Sequence, residues 1–178
     1  MTSSRHLLAV PAPVREVGLL LARVLLGAIL MAHGWQKIAT NGLGATGDAF
    51  EGMGIPLAQA SAVFAGVVEL VGGALIVLGL LTTIAGLLNA LNLFGAFWFV
   101  HRGHGVFATD GGWELVAALG LASLVFVLVG PGRYSLDALL AGRRATTPAA
   151  RDAQNDRPSS STSAASGRSV AENPAATR

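Results

Sequence analysis

The chain has no cysteine in its 178 residues. That excludes disulfides, thiolate catalysis, CxxC redox centres and any metal or iron–sulfur site ligated by cysteine. Charge is scarce as well: Lys, Arg, Asp and Glu make up 12% of the residues, about half the ~25% usual for a soluble domain. Lys37 is the single lysine, against eleven arginines. The net charge of +2 comes mostly from arginines near the termini. No basic stretch is interleaved with aromatic rings on which bases could stack, so nothing points to a nucleic-acid partner. There is no internal repeat, no phosphate-binding glycine motif, no flavin motif and no HxxxH pair of metal-ligand spacing within a helix.

What the chain has in abundance is apolar length. Hydrophobic residues account for 52% of it, and the mean hydropathy is +0.58. Four apolar runs stand out, at about 17–38, 57–80, 82–100 and 113–129. A membrane-crossing helix needs about 20 such residues to span ~30 Å of hydrocarbon. A barrel strand would alternate apolar and polar residues, whereas these runs are apolar throughout. The first run is no signal peptide. It starts late, is too long, and ends in His33-Gly34-Trp35-Gln36-Lys37 without a small-residue cleavage site. Glycines share helical faces: Gly27 with Gly34 in the first run, and Gly66, Gly72 and Gly73 beside Glu69 in the second. Such spacings let membrane helices approach closely. The predicted fold is an all-α integral membrane four-helix bundle. Residues 1–16 form an N-terminal cytoplasmic segment, 17–144 the transmembrane domain, and 145–178 a tail too poor in large apolar residues to bury a core.

Orientation follows from the arginines. Arg5 and Arg15 precede the first span, and Arg133, Arg143 and Arg144 follow the fourth. With an even number of spans both termini share a side, and positive residues put that side in the cytoplasm. Trp35, Trp98 and Trp113 fall at the opposite ends of helices one, three and four, as an interfacial aromatic belt would. In the first outer loop, Phe50 and Met53 share one face of a short interfacial helix. Gly130-Pro131-Gly132 stops the fourth helix, and Ser135 then caps a short surface helix bearing Leu136, Leu139 and Leu140.

Ordered along the chain are Arg23 with Gly27, His33-Gly34-Trp35-Gln36-Lys37, Gly54-Ile55-Pro56 and Val68-Glu69-Leu70-Val71-Gly72-Gly73. His101, Gly105-Val106-Phe107, Gly111-Gly112-Trp113-Glu114 and Gly130-Pro131-Gly132-Arg133-Tyr134-Ser135-Leu136-Asp137 come after them. In order and spacing the sequence resembles the DoxX family of small four-helix bacterial membrane proteins, over roughly residues 17–140. Members often carry a basic residue in the turn between helices two and three, where this chain has Thr82-Thr83. The resemblance implies a bacterial plasma-membrane protein. It also implies association with oxidoreductases, since the family name derives from a subunit linked to thiosulfate and quinone oxidation and other members are linked to oxidative-stress resistance.

Ionisable groups inside a bilayer are costly enough to be candidate functional residues. Arg23, Glu69, His33 and Lys37 are those here, and on a helical wheel Arg23, His33 and Lys37 lie within 80° of one another. Arg23 and Glu69 are expected to form a buried ion pair that fixes helix packing; Glu69 is also a candidate to bind a ligand or relay protons. His33, Lys37, His101, His104 and Glu114 gather at the outer end of the bundle. Histidines with a carboxylate can hold a transition metal or exchange protons with a quinone, yet without a tight metal spacing the residues read first as solvated loop histidines, His101 and His104, with His33 capping a polar interior. Asn89 and Asn92 are expected to bond neighbouring helices. Two function classes emerge. One is a membrane component of a redox assembly, with a quinone or soluble and membrane oxidoreductases as partners besides the lipid bilayer. The other is a non-catalytic scaffold or binder of a small hydrophobic molecule. No cofactor is identified by either.

Overall fold

The computed structural model describes residues 10–145, with side chains to Gly142, and over that range it is all helical. The tail expected at 145–178 lies outside these residues except for its first position. Helix α1 (Ala12–Trp35) carries Pro13 in its first turn, where a missing N–H costs nothing. It therefore starts five residues before the apolar run. A single π-helical turn at Gln36–Thr40 extends it. A short helix α2 (Leu43–Gly52) comes next, then α3 (Ala58–Leu78), and α4 (Thr82–Ala96) with a second π-helical turn at Phe97–His101. Helix α5 (Glu114–Val129) and the short α6 (Leu136–Ala145) complete the described chain.

Three helical stretches are long and apolar enough to cross a membrane: Ala12–Thr40, Ala58–Leu78 and Thr82–His101. Helix α5 is as apolar but has 16 residues, so it rises about 24 Å, short of the ~30 Å hydrocarbon thickness. The outer faces carry large apolar side chains in the open, Leu25, Phe94, Leu121 and Leu128 among them. Water would not tolerate so continuous an apolar surface; lipid requires it.

Packing is pairwise. Helix α1 lies along α3, α4 along α5, and α3 joins the pairs by packing on α4. The apolar core runs through Leu26, Leu30, Ile76, Ala85, Leu93, Leu119 and Phe126. The α1–α3 contact is made at glycine. A Cβ on Gly73 would sit 2.7 Å from the Gly27 carbonyl and 2.9 Å from the Met31 nitrogen, and one on Gly34 would sit 2.8 Å from the Gly66 carbonyl. Backbone therefore lies on backbone, as the glycine spacing predicted, and the resulting dispersion contacts hold helices that gain nothing from hydrophobic exclusion in lipid. Asn89 is fully buried and donates to the Val68 carbonyl across the α3–α4 contact and to Ala85 of its own helix. Ser135 caps α6, accepting the Ala138 N–H at 3.1 Å.

Candidate functional site

The glycine contacts set the register between α1 and α3. Gly27 opposite Gly73 and Gly34 opposite Gly66 place Glu69 level with Met31. Lys37 is then six residues along α1 to one side of that level, and Arg23 eight residues to the other. Helical side chains lean toward the N-terminus of their own helix. The Lys37 stem therefore leans toward Glu69 and that of Arg23 leans away. Accordingly Glu69, 3% exposed, receives Lys37 Nζ on Oε2 at 2.5 Å and Asn92 Nδ2 on Oε1 at 3.0 Å.

The expected Arg23–Glu69 pair is not formed. Arg23 is 2% exposed and donates from Nη1 to the Pro131 carbonyl at 2.8 Å and from Nη2 to the Tyr134 carbonyl at 2.6 Å. The wheel correctly put Arg23 on the interior face, but depth and lean send its guanidinium to the far end of the bundle. There Asp137 accepts the backbone N–H groups of Leu81 and Thr82 at the start of α4. Leu81 holds a positive φ of 49°, strained for a leucine, and the carboxylate fixes its N–H. The Gly130–Asp137 segment is thus a clamp that ties α1, the α3–α4 turn and the C-terminal segment together.

Above Glu69 the structure opens. A cavity of about 460 Å³ is lined by polar groups from His33, Lys37, Ser61, Glu69, Asn92 and His101, and otherwise mainly by apolar side chains of α2 to α5. Its size is that of a small-molecule site. Two of its polar residues stand on the π-helical turns. The turn at Gln36–Thr40 contains Lys37, whose freed carbonyl accepts the Thr46 hydroxyl of α2 at 3.0 Å; His101 ends the turn at Phe97–His101. One extra residue per turn rotates the residues beyond it, and such turns are frequent at functional sites. Apolar periodicity, which a one-residue slip at a helix end barely changes, carried no sign of them. His101 Nδ1 lies 2.7 Å from the Gly111 carbonyl. A carbonyl only accepts, so Nδ1 carries a proton and Nε2 of the neutral ring is an acceptor.

Phe50 of α2 and Met53 beyond it both line the cavity, so the short loop helix acts as part of its roof. Glu114 does not join: its Oε1 accepts the Ala108 N–H at 2.9 Å and closes the loop before α5. His104 lines an adjoining hollow that shares Met53, Phe99, Val100 and His101 with the cavity. The tryptophans stay at the π-turn end, with the Arg102 guanidinium 4.3 Å above the Trp98 ring and Trp113 edge-on to Phe97. Among the described residues no group of three His, Asp or Glu side chains is placed to hold a metal ion.

The profile of one family, DoxX, matches residues 18–102. Over 139 residues the chain is 36% identical to the uncharacterized membrane protein Rv3486 of Mycobacterium tuberculosis, covering 72% of this chain and 84% of the relative. The chain belongs to the DoxX family. Inner membrane protein YqjF of Escherichia coli is another relative, 34% identical over 132 residues, which are 71% of this chain and 95% of YqjF. A Bacillus subtilis protein named "Putative oxidoreductase CatD" is 42% identical over 81 residues, 46% of this chain and 58% of CatD. No solved structure matches the chain. The DoxX match encloses Arg23, His33, Lys37, Glu69, Asn92 and His101 and stops at Arg102. It therefore contains most of the cavity's polar groups, whereas Glu114 and the Gly130–Asp137 clamp lie beyond it.

Proposed function

We propose that this DoxX-family membrane protein binds a small amphipathic molecule, a quinone being the type, in the cavity above Glu69, and does so as the membrane component or partner of a redox assembly. One observation carries the reading: the pair of half-buried Lys37 and buried Glu69 stands at the wall of an open apolar cavity rather than inside packed side chains. Charge is expensive in a bilayer and is rarely kept beside empty volume without use. The chemistry available is hydrogen bonding and proton exchange. Lys37 donates to a ligand oxygen, Glu69 accepts a proton, and His33 and His101 pass protons toward the mouth. The name of CatD supports the redox setting.

The orientation with both termini in the cytoplasm remains part of this reading, supported by the flanking arginines. Because the chain lacks cysteine, single cysteines report it cleanly. One at Gly44 should react with an impermeant thiol reagent in intact cells, and one at Thr2 should not; the reverse pattern inverts the assignment.

The ligand itself is testable. Protein taken from its own membranes in polymer-bounded lipid discs should carry one amphiphile enriched over bulk lipid by solvent extraction and mass spectrometry. His33→Ala and Glu69→Gln should lose that molecule and any redox-stress phenotype while abundance stays near wild type. No enrichment in the wild-type protein would sink the reading. A scaffold role has an observation of its own in its favour: both Glu69 oxygens are already satisfied within the protein, as a packing strut requires. Full function in a stably folded Lys37→Met/Glu69→Gln variant would establish it.

A further inference from the structure

The seam between α3 and α4 is closed at one end and slack at the other. At the closed end the Gly79–Leu81 turn joins the helices, and the Asn89 amide fills the space beside Gly72. Toward the π-turn end the two helices line the cavity with small residues, Ser61 and Ala65 from α3, Gly95 and Ala96 from α4. A Cβ built on Gly95 would meet nothing within 4 Å. Phe64 and Leu91, one on each helix, line this same cavity and are yet 49% and 58% exposed on the outside of the bundle. Phe64 shares its exposed face of α3 with Val67 and Val71, and Leu91 its exposed face of α4 with Ile84, Leu87 and Leu88, so at these two side chains the cavity wall reaches the exterior. Phe64 lies roughly 9 Å in from the start of α3, and Leu91 roughly 15 Å in from His101. The exterior at that depth is hydrocarbon, not water.

We infer that the cavity is loaded sideways from the bilayer, through the α3–α4 seam, by an uncharged amphiphile whose hydroxyl or carbonyl head takes a hydrogen bond from Lys37. This rests on the ligand-binding reading above and adds the route and the head chemistry. Glu69 already neutralises Lys37. A carboxylate head would have to break that pair or bring a second negative charge against Glu69, and an ammonium head would meet Lys37 itself; both are penalised in a low-dielectric site. A neutral oxygen meets no such cost. The ammonium has three N–H groups, and Glu69 is its one hydrogen-bond partner among the described residues. His33, which has no hydrogen bond to a described residue, offers a second polar contact on the cavity wall. The apolar body then rests among Leu30, Phe99 and Leu119.

The test uses the full-length protein in phosphatidylcholine vesicles and a hexadecanol carrying a diazirine near its hydroxyl. Photolysis should give saturable adducts within residues 61–69 and 91–96. A Phe64→Cys/Leu91→Cys variant, whose two thiols are the only ones in the chain, allows the seam to be bridged with a bismaleimide. Bridging before the probe is added should cut the adducts at least fivefold, whereas bridging after loading should not. Gly95→Trp, whose Cβ would meet nothing within 4 Å and whose ring would occupy the gap, should cut them similarly at an unchanged melting temperature. Unlabelled hexadecanol should compete at least fivefold better than hexadecanoate. Undiminished labelling in both the pre-bridged protein and Gly95→Trp overturns the lateral route and leaves the cavity reading standing. Equal or better competition by hexadecanoate overturns the uncharged head. Absence of saturable adducts in the wild-type protein overturns both this inference and the ligand-binding reading.

Discussion

The bundle buries one charge at its clamped end and another at mid-depth, and the two are held in opposite ways. Arg23 is enclosed by a turn of backbone, its guanidinium donating to the uncharged carbonyls of Pro131 and Tyr134. Space there is fully used: a Cβ on Gly79 would fall 2.8 Å from the Arg23 guanidinium carbon and 2.5 Å from the Ser135 Cβ. Glu69 is held by side chains alone, the Lys37 ammonium and the Asn92 amide, and an open cavity adjoins all three. A charge locked by backbone in a filled space can only fasten. One held by side chains next to volume can exchange a partner for a ligand. Burial does not separate the two residues; the rigidity and fullness of their surroundings do.

The contrast can be broken by removing each charge. Lys37→Met should have the largest effect, leaving Glu69 buried without its counter-charge at a cost of about 3–5 kcal/mol. Lys37→Met/Glu69→Gln should recover most of that in detergent thermal unfolding. Next comes Arg23→Met, which takes the donor from two part-buried carbonyls and should cost about 1–3 kcal/mol. Its effect should add to that of Glu69→Gln, because the two sites share no contact. A coupling above about 0.5 kcal/mol in that cycle would mean that the two sites communicate and the contrast is too sharp. The sequence alone had suggested such coupling.

Glycine substitutions sharpen the same distinction with smaller effects. Gly73→Ala drives a methyl against the Gly27 carbonyl and Met31 nitrogen, neither of which can move alone, and should cost about 1–3 kcal/mol as overpacking. Gly95→Ala at the cavity wall meets nothing and should stabilise α4 by roughly 0.5–1 kcal/mol through its helix propensity. Equal losses at both positions would show that the cavity end is as tightly filled as the other.

Much of the bundle was legible from residue order. The apolar runs gave the long helices, the glycine spacing gave the α1–α3 contact, Asn89 and Asn92 gave bonds to α3, and Ser135 gave the cap of α6. The polar site was legible in membership more than in pairing. His33, Lys37, Glu69 and His101 do share one cavity, but a helical wheel projects along the axis and discards depth. Arg23 and Lys37 look like neighbours on it while lying about 21 Å apart along the helix. Depth came only from the register that Gly27–Gly73 and Gly34–Gly66 fix between helices. Glu114 was misplaced for a related reason: being at the right end does not settle whether a side chain turns to the cavity or back to its own loop.

The clamp at Arg23 also sets a clock on synthesis. Its two acceptors come 108 and 111 residues later in the chain, and the Asp137 carboxylate that fixes the start of α4 comes 55 residues after Thr82. At about 5–20 residues per second, the nascent protein holds an unanswered guanidinium in the membrane for roughly 5–20 s, until nearly all of its apolar sequence has been made. A ribosome that stops short of Pro131 leaves that charge exposed to whatever surveys the membrane for unfinished chains. The same bond that fastens the mature bundle therefore forms only after nearly all of the apolar sequence has been made.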